Sequence, residues 1–181
     1  MLSSFVRWSA GVCLMDKIYN VLFLCSQNSA RSIMAEALLN YWGKGRFKAY
    51  SAGSSPAGAV NPYAERLLQS LNMPVSTLRS KSWDEFAAEA SPVMDFIFVV
   101  GDTLTADTLP TWPGQPMIAN WEVDDPVGLA ANGDDLAQVN AFRQAFRQLE
   151  HRVKIFSALR LDALTQMAMQ ARLSEIGLET V

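Results

Sequence analysis

Short apolar segments alternate with amphipathic ones along most of the chain. Four apolar segments are bounded by glycine, proline or small polar residues, and they predict strands at 18–24, 47–52, 95–100 and 116–120. The amphipathic stretches between them predict helices near 30–42, 61–72 and 82–88. This alternation predicts an α/β fold, a single domain of three layers (α/β/α) around a central four-stranded parallel sheet.

From about Leu136 the pattern becomes helical. A stripe at spacings of three and four is formed by Phe142, Phe146, Leu149, Val153 and Phe156. It predicts a long helix that packs on the sheet. The stretch 161–179 predicts an extra C-terminal helix, whose apolar residues include Met167, Met169, Leu173 and Ile176. The first interpretation of these residues is core or dimer packing, and a functional methionine surface is the alternative. The sequence leaves the oligomeric state open, and if a homodimer forms, its contact is expected at this helix.

The patterns divide the chain into three parts. Residues 1–16 are expected to form an N-terminal extension, 17–160 the α/β domain, and 161–181 a C-terminal helical extension. Within the domain, Ser82 and Glu85 have the spacing of a capping box at the start of the third helix.

Composition excludes several classes of function. With a net charge of −3, the chain has no basic excess for nucleic acid or an anionic membrane. No apolar run is long enough to span a bilayer, so a cytoplasmic location is expected. His151 is the single histidine, and the two cysteines, Cys13 and Cys25, form no CxxC pair. Neither a metal site nor a bound cofactor is therefore expected.

The loop after the first strand has the features of an oxyanion site. Cys25 ends the strand, small polar residues follow, and a helix begins near Arg31. Loop amides, the helix N-terminus and the guanidinium all favour a bound anion, and they favour the thiolate of Cys25. The predicted oxyanion-binding residues are Ser26, Gln27, Asn28, Ser29, Ala30, Arg31 and Ser32. The alternative is that Cys25 is a small buried apolar residue.

The run "CSQNSARS" (25–32) resembles the Cys-x5-Arg-Ser phosphate loop of the low-molecular-weight protein tyrosine phosphatases and of the arsenate reductases that share their fold. "YSAG" (50–53) is similar to the end of that family's second strand. "WEVDDPVG" (121–128) is similar to its acid loop, the name used below for residues 121–128. The resemblance covers roughly residues 17–160.

The resemblance implies roles for individual residues. Cys25 would be the nucleophile and Arg31 the oxyanion clamp. Asn28 and Ser32 would shape the loop and support the thiolate, with Ser51 behind them.

Asp125, directly before Pro126, would be the general acid that protonates the leaving oxygen. Asp124 is the second candidate for this role, and a solvated turn at "DDP" is the alternative interpretation.

Within the family, the arsenate reductase branch is the closer match. "RSKSWDEFA", "WPGQPM" and "NWEVDDPVG" all resemble that branch. Tyrosine-specific relatives usually carry a tyrosine after the Asp-Pro pair, and Val127 stands there in this chain. A site for a small oxyanion such as arsenate or phosphate is expected.

Thioredoxin-coupled members of the branch use two further cysteines, and this chain has Gly101 and Thr108 at the expected positions. Ala30 replaces a loop cysteine of some members, and Cys13 is expected to lie far from Cys25. The resemblance therefore implies that an external thiol reductant, with glutaredoxin or thioredoxin as partner, completes any reduction of arsenate. A phosphatase that hydrolyses phosphoesters is the alternative, and a non-catalytic oxyanion-binding module is the third possibility.

Overall fold

The computed structural model describes residues 17–129, 131 and 133–180. Its strands are β1 (Tyr19–Cys25), β2 (Phe47–Gly53), β3 (Phe96–Val99) and β4 (Met117–Asn120). They form one parallel sheet in the order β2-β1-β3-β4. The predicted four-stranded parallel sheet is confirmed, and each strand bound lies within one residue of its predicted position.

Six α-helices accompany the sheet in the described residues. They are α1 (Arg31–Trp42), α2 (Pro62–Ser70), α3 (Asp84–Ala87), α4 (Pro126–Leu129), α5 (Asp135–Ala158) and α6 (Gln166–Leu178). The larger core lies on one face of the sheet, where Val21 and Phe23 of β1 meet α1 and α5. On the other face, Leu22 and Leu24 pack against a smaller cluster that includes Phe86 of α3. Alternate residues of β1 thus serve opposite faces, which gives the three predicted layers.

Two predicted helices are shorter in the structure. The helix predicted at 82–88 is reduced to α3, and the predicted capping box is wrong because Glu85 forms a two-point ion pair with Arg79 at 2.8 and 2.5 Å. Ser82 instead accepts a hydrogen bond from the amide of Asp84 at 3.2 Å. The helix predicted at 61–72 ends at residue 70, because Asn72 adopts the left-handed region at φ 56°.

The last predicted helix is divided in two. A 3₁₀ turn covers Leu161–Ala163, and the side chain of Thr165 then caps α6 by accepting from the amide of Ala168. Three apolar residues of α6, Met169, Leu173 and Ile176, are buried, whereas Met167 is 84% exposed. Most of the expected apolar positions therefore pack within the domain.

The predicted N-terminal extension, residues 1–16 with Cys13, lies outside the described residues. In the part of the chain that is described, no helix is both long and apolar enough to cross a membrane.

Candidate active site

Cys25 is the last residue of β1, at the carboxyl edge of the parallel sheet. It is only 4% exposed, and its Sγ lies 2.9 Å from the hydroxyl oxygen of Ser32 in the first turn of α1. In open parallel sheets this edge is where ligands bind. The strand end and the helix start thus hold one thiol beside one hydroxyl.

The loop between β1 and α1 has its carbonyl groups turned outward. The carbonyls of Ser26, Gln27 and Ser29 accept hydrogen bonds from amides of the segment 55–61 at 2.8–2.9 Å. In a planar trans peptide the N–H of the next residue points the opposite way. The following amides therefore face away from this segment. Asn28 makes the turn possible by adopting φ 44°.

Gly53 allows the loop to pass close to β2. A Cβ at Gly53 would lie 2.4 Å from the carbonyl oxygen of Ser26 and 2.9 Å from the amide nitrogen of Asn28. No other residue type fits without displacing this backbone, so the glycine of the "YSAG" run has a steric role.

Asn28 ties the loop to the sheet through its buried amide group. Its Nδ2 donates to the hydroxyls of Ser32 at 2.8 Å and Ser51 at 2.9 Å, and its Oδ1 accepts from the amide of Lys81 at 2.8 Å. Because Ser32 accepts this bond, its own proton is free to point at Cys25 and support a thiolate.

The network continues into a buried ion pair. Ser51 donates to Glu36, and the Lys81 ammonium lies 3.2 Å from Glu36 and 3.3 Å from Ser51. Glu36 and Lys81 are 7% and 6% exposed, so neither charge is well solvated. A chain of hydrogen bonds thus connects this ion pair with the Cys25 thiol through Ser51, Asn28 and Ser32.

The side chain of Arg31 contacts two loop segments, one that follows β3 and one that follows β4. Its Nη1 donates to the carbonyl of Val123 at 2.9 Å and to Asp102 at 3.1 Å, and its Nη2 lies 3.5 Å from Asp125. Arg31 itself is 7% exposed. The guanidinium is therefore fixed at the base of the site by groups from the segments that follow β3 and β4.

Asp102 is held in its ionised form by this contact. Burial alone would raise the pKa of Asp102, but the hydrogen bond from Arg31, a backbone hydrogen bond and the charge of Arg31 together lower it. Asp102 thus places a second carboxylate, beside Asp125, next to the same guanidinium.

Asp125 directly precedes the short helix α4. Its carboxylate accepts hydrogen bonds from the amides of Val127 at 3.4 Å and Gly128 at 3.3 Å, and its side chain is 39% exposed. Asp124 is exposed and does not line the cavity described next. Of the two candidate acids, Asp125 is the one that the structure brings to Arg31.

A cavity of about 240 Å³ lies over the loop. Its lining consists of Cys25, Ser26, Gln27, Ser29, Ala30, Arg31, Asp102, Thr103, Asp125 and Val127. Among these residues no side chain is aromatic. Three other predicted site residues, Asn28, Ser32 and Ser51, lie fully buried behind the loop. The structure therefore brings the predicted nucleophile, clamp and acid to one cavity and places the predicted supporting residues beneath it.

The two positions expected for additional thiols have different surroundings. Gly101 packs on Cys25, and a Cβ there would lie 3.3 Å from both Cα and Cβ of Cys25. Thr108 belongs to an exposed 3₁₀ turn, where its hydroxyl donates to the carbonyl of Thr105. Among the described residues Cys25 is the single cysteine.

Three functional candidates went unnoticed in the sequence: Asp102, Glu36 and Lys81. Asp102 follows a buried strand, and its position at the carboxyl edge of the sheet is the signal that could have found it. Glu36 and Lys81 are far apart in sequence and join only in the folded core, so no local pattern marks them. A search of the described residues for three or more clustered His, Cys, Asp or Glu side chains finds no candidate metal site.

Residues 20–167 match the model of the low molecular weight phosphotyrosine protein phosphatase family. An arsenate reductase of Halalkalibacterium halodurans is 30% identical over 141 residues, which cover 76% of this chain and 94% of that protein. A glutaredoxin arsenate reductase of Synechocystis is 27% identical over 134 residues, covering 74% and 92%.

The comparison with solved structures points to the same family. The crystal structure of an arsenate reductase from Archaeoglobus fulgidus matches with a TM-score of 0.61 and 30% identity, covering 77% of this chain and 99% of that one. The fold predicted from the phosphate-loop resemblance is confirmed by this match. The chain belongs to the low-molecular-weight phosphotyrosine protein phosphatase family, in its arsenate reductase branch.

Proposed function

We propose that this protein is a thiol-dependent arsenate reductase in which Cys25 is the nucleophile, Arg31 the oxyanion clamp and Asp125 the general acid. The proposal is supported above all by one observation: these three residues line the same cavity of about 240 Å³. The cavity is small and no aromatic side chain lines it, so it suits a tetrahedral oxyanion better than an aryl ester.

The first step is attack of the Cys25 thiolate on arsenic. A bond between sulfur and arsenic forms, one arsenic–oxygen bond breaks, and Asp125 gives a proton to the departing oxygen, which leaves as water. Arg31 and the loop amides stabilise the remaining oxygens. Arsenic is still pentavalent in this adduct.

Reduction requires two electrons from thiols outside the described residues. A thiolate attacks the Cys25 sulfur, the sulfur–arsenic electron pair stays on arsenic, and arsenite leaves. The resulting mixed disulfide is reduced by a second thiol, which regenerates Cys25. Arsenate and two thiols thus give arsenite, one disulfide and water. We propose an external thiol such as glutathione, with glutaredoxin or thioredoxin as protein partner, because Gly101 supplies no thiol beside Cys25.

A phosphatase is the second candidate, and the lack of a second cysteine among the described residues favours it, because hydrolysis needs none. Cys25 would then take the phosphoryl group from an ester, and Asp125 would protonate the leaving oxygen and afterwards activate a water. The partial exposure of Asp125 is compatible with that second step.

The two candidates are separated by parallel assays. The full chain is incubated with arsenate and with p-nitrophenyl phosphate, each with glutathione and glutaredoxin, with thioredoxin and its reductase, and without reductant. Arsenite that forms only with a thiol system supports the reductase. Phosphate release without arsenite under every reductant overturns it in favour of the phosphatase. Phosphate binding without any turnover leaves the non-catalytic module.

Variants test the assigned roles. Cys25→Ser should abolish turnover. Activity that survives this substitution would overturn both the arsenate reductase and the phosphatase. Asp125→Asn should lower turnover by about a hundredfold or more, the usual contribution of a general acid, whereas the neighbouring Asp124→Asn should not. A loss in Asp124→Asn alone would assign the acid to Asp124.

Location and assembly stay predictions. We propose a cytoplasmic enzyme. Light scattering tests its oligomeric state, and if a homodimer forms, α6 is the contact to test first.

A further inference from the structure

We propose that α6, most of which lies beyond the family match that ends at residue 167, holds the acid loop and so positions Asp125. This inference rests on the proposed function, because it assigns a role in the chemistry of the same site. It identifies Trp121, Arg152 and Gly177 as positioning residues.

Trp121 is the first contact between α6 and the acid loop. It is fully buried, and its Nε1 donates to the carbonyl of Leu173 in α6 at 3.0 Å. Its ring stacks on Phe98 of β3 with centroids 3.8 Å apart. The first residue of the acid loop is thus fixed between the sheet and α6.

Gly177 brings the backbone of α6 unusually close to the end of β4. A Cβ there would lie 2.1 Å from the carbonyl oxygen of Asn120 and 3.1 Å from Cδ1 of Trp121. Any larger residue must push α6 away from this strand end or displace Trp121. The absence of a side chain at Gly177 therefore sets the distance between α6 and the acid loop.

Arg152 of α5 holds the same segment from a second side. Its Nη1 donates to the carbonyls of Trp121 at 3.0 Å and Glu122 at 2.8 Å, and its Nη2 donates to the carbonyl of Glu179 just after α6. Burial lowers the pKa of the Arg152 guanidinium, while the charges of Asp124 and Glu122 act in the opposite direction. One buried cation thus joins the acid loop to the end of α6.

Only two residues of the acid loop lie between Glu122, whose carbonyl Arg152 holds, and Asp125. The carbonyls of Trp121 and Glu122 are held by Arg152, and the next carbonyl, that of Val123, is held by Arg31. The loop leaves β4, and the amides of Trp121 and Val123 donate to the carbonyls of Val99 and Val100 on the side of β3. On its other side the described part of the chain has no strand, and α6 lies there instead. Loss of the α6 contacts should therefore let Asp125 move relative to Arg31.

The test uses the full chain with two variants and a matched control. Trp121→Phe removes the indole donor and keeps an aromatic ring on Phe98. Gly177→Val forces α6 away from Asn120. Arg172→Ala, on the exposed side of α6 where Arg172 pairs with Glu175, is the control. Circular dichroism confirms folding, and Trp121→Phe carries the test if Gly177→Val does not fold.

The kinetic readout is leaving-group dependence, because a poor leaving group needs the acid and a good one does not. In the two variants kcat/KM for phenyl phosphate should fall about tenfold more than kcat/KM for 2,4-dinitrophenyl phosphate, with inhibition by inorganic phosphate unchanged. The control should match the wild type. Equal losses with both substrates, or no loss, would overturn the positioning role.

A second readout does not depend on turnover. Amide hydrogen exchange in residues 121–128 should accelerate in both variants, while exchange in residues 25–32 stays unchanged. Unchanged exchange in 121–128 would overturn the inference even if the enzyme is active. If no arsenate is reduced and no ester hydrolysed, the proposed function fails while hydrogen exchange still decides the role of α6.

Discussion

Gly101 lies directly against Cys25, so that a Cβ at position 101 would be 3.3 Å from the Cβ of Cys25. Cβ atoms joined by a disulfide are about 3.5–4.5 Å apart. A thiol at this position could thus pair with Cys25 after a shift of a few tenths of an ångström. Position 101 thus lies close enough for a disulfide to Cys25, but its glycine supplies no thiol.

We predict that Gly101→Cys, in a Cys13→Ser background, forms an intramolecular disulfide with Cys25 after mild oxidation. The oxidised variant should lose alkylation of Cys25 by iodoacetamide and regain it with dithiothreitol. Mass spectrometry should find a cross-linked peptide pair that contains positions 25 and 101. The same variant carrying Cys25→Ser is the control and should show no cross-link. If both thiols stay free under oxidation, the packing of residue 101 on Cys25 is wrong.

Asn28 should contribute both hydrogen bonds and backbone freedom. Asn28→Gly removes three buried hydrogen bonds and keeps the freedom to adopt φ 44°, and it should lower the free energy of unfolding by about 1–3 kcal/mol. Asn28→Ala should lose about 1 kcal/mol more, because alanine is strained there. Urea denaturation measures the free energy of unfolding of both variants. Equal stability of the two variants would contradict the strained turn.

The same two Asn28 variants should react more slowly at Cys25. Without Nδ2 of Asn28, the hydroxyl of Ser32 is no longer directed toward Sγ, so the reacting sulfur loses the hydrogen bond that supports it. The rate of alkylation by iodoacetamide measures this effect. An unchanged rate would show that Ser32 supports the thiolate without Asn28.

Gly53→Ala should distort the phosphate loop. The added Cβ would lie 2.4 Å from the carbonyl of Ser26, so the loop must move and affinity for inorganic phosphate should fall about tenfold or more. Gly45→Ala is the control: Gly45 has a positive φ of 80°, unlike Gly53, and a Cβ there meets nothing within 4 Å. It should lose stability and keep phosphate affinity in titration calorimetry. Wild-type affinity in Gly53→Ala would contradict the steric role.

Local pattern sufficed for most of the fold. The strands were predictable because each is a short apolar run with clear boundaries, and α5 because its apolar stripe persists from Phe142 to Phe156. The capping box of the third helix was mispredicted because Glu85 has a stronger partner, Arg79, than the backbone of Ser82. Such competition between a local cap and a nearby charge is not visible in the spacing alone.

The candidate site likewise has one part that could be predicted from the sequence and another that could not. The thiol, the loop and Arg31 are contiguous in sequence, so their chemistry could be predicted from eight residues. The pair Glu36–Lys81 and the contacts of Arg152 join distant parts of the chain and become visible only in the packed core. Burial makes these charges significant, and burial is a property of the fold.

Asp102 should give the protein a specific sensitivity to acid. Its pKa is lowered in the folded state, so the folded protein binds this proton less readily than the unfolded chain does. The stability gained from the Asp102–Arg31 contact is therefore complete above the unfolded pKa, near 3.9, and is lost as the pH falls through the lower folded value.

Asp102→Asn should be less stable than the wild type above about pH 4, and the difference should vanish at lower pH. The control Asp107→Asn removes the same formal charge in the exposed 3₁₀ turn and shows what the loss of one negative charge alone does. Urea denaturation at a series of pH values measures the difference. A gap between Asp102→Asn and the wild type that stays constant across this range would mean that Arg31 does not stabilise the ionised form of Asp102.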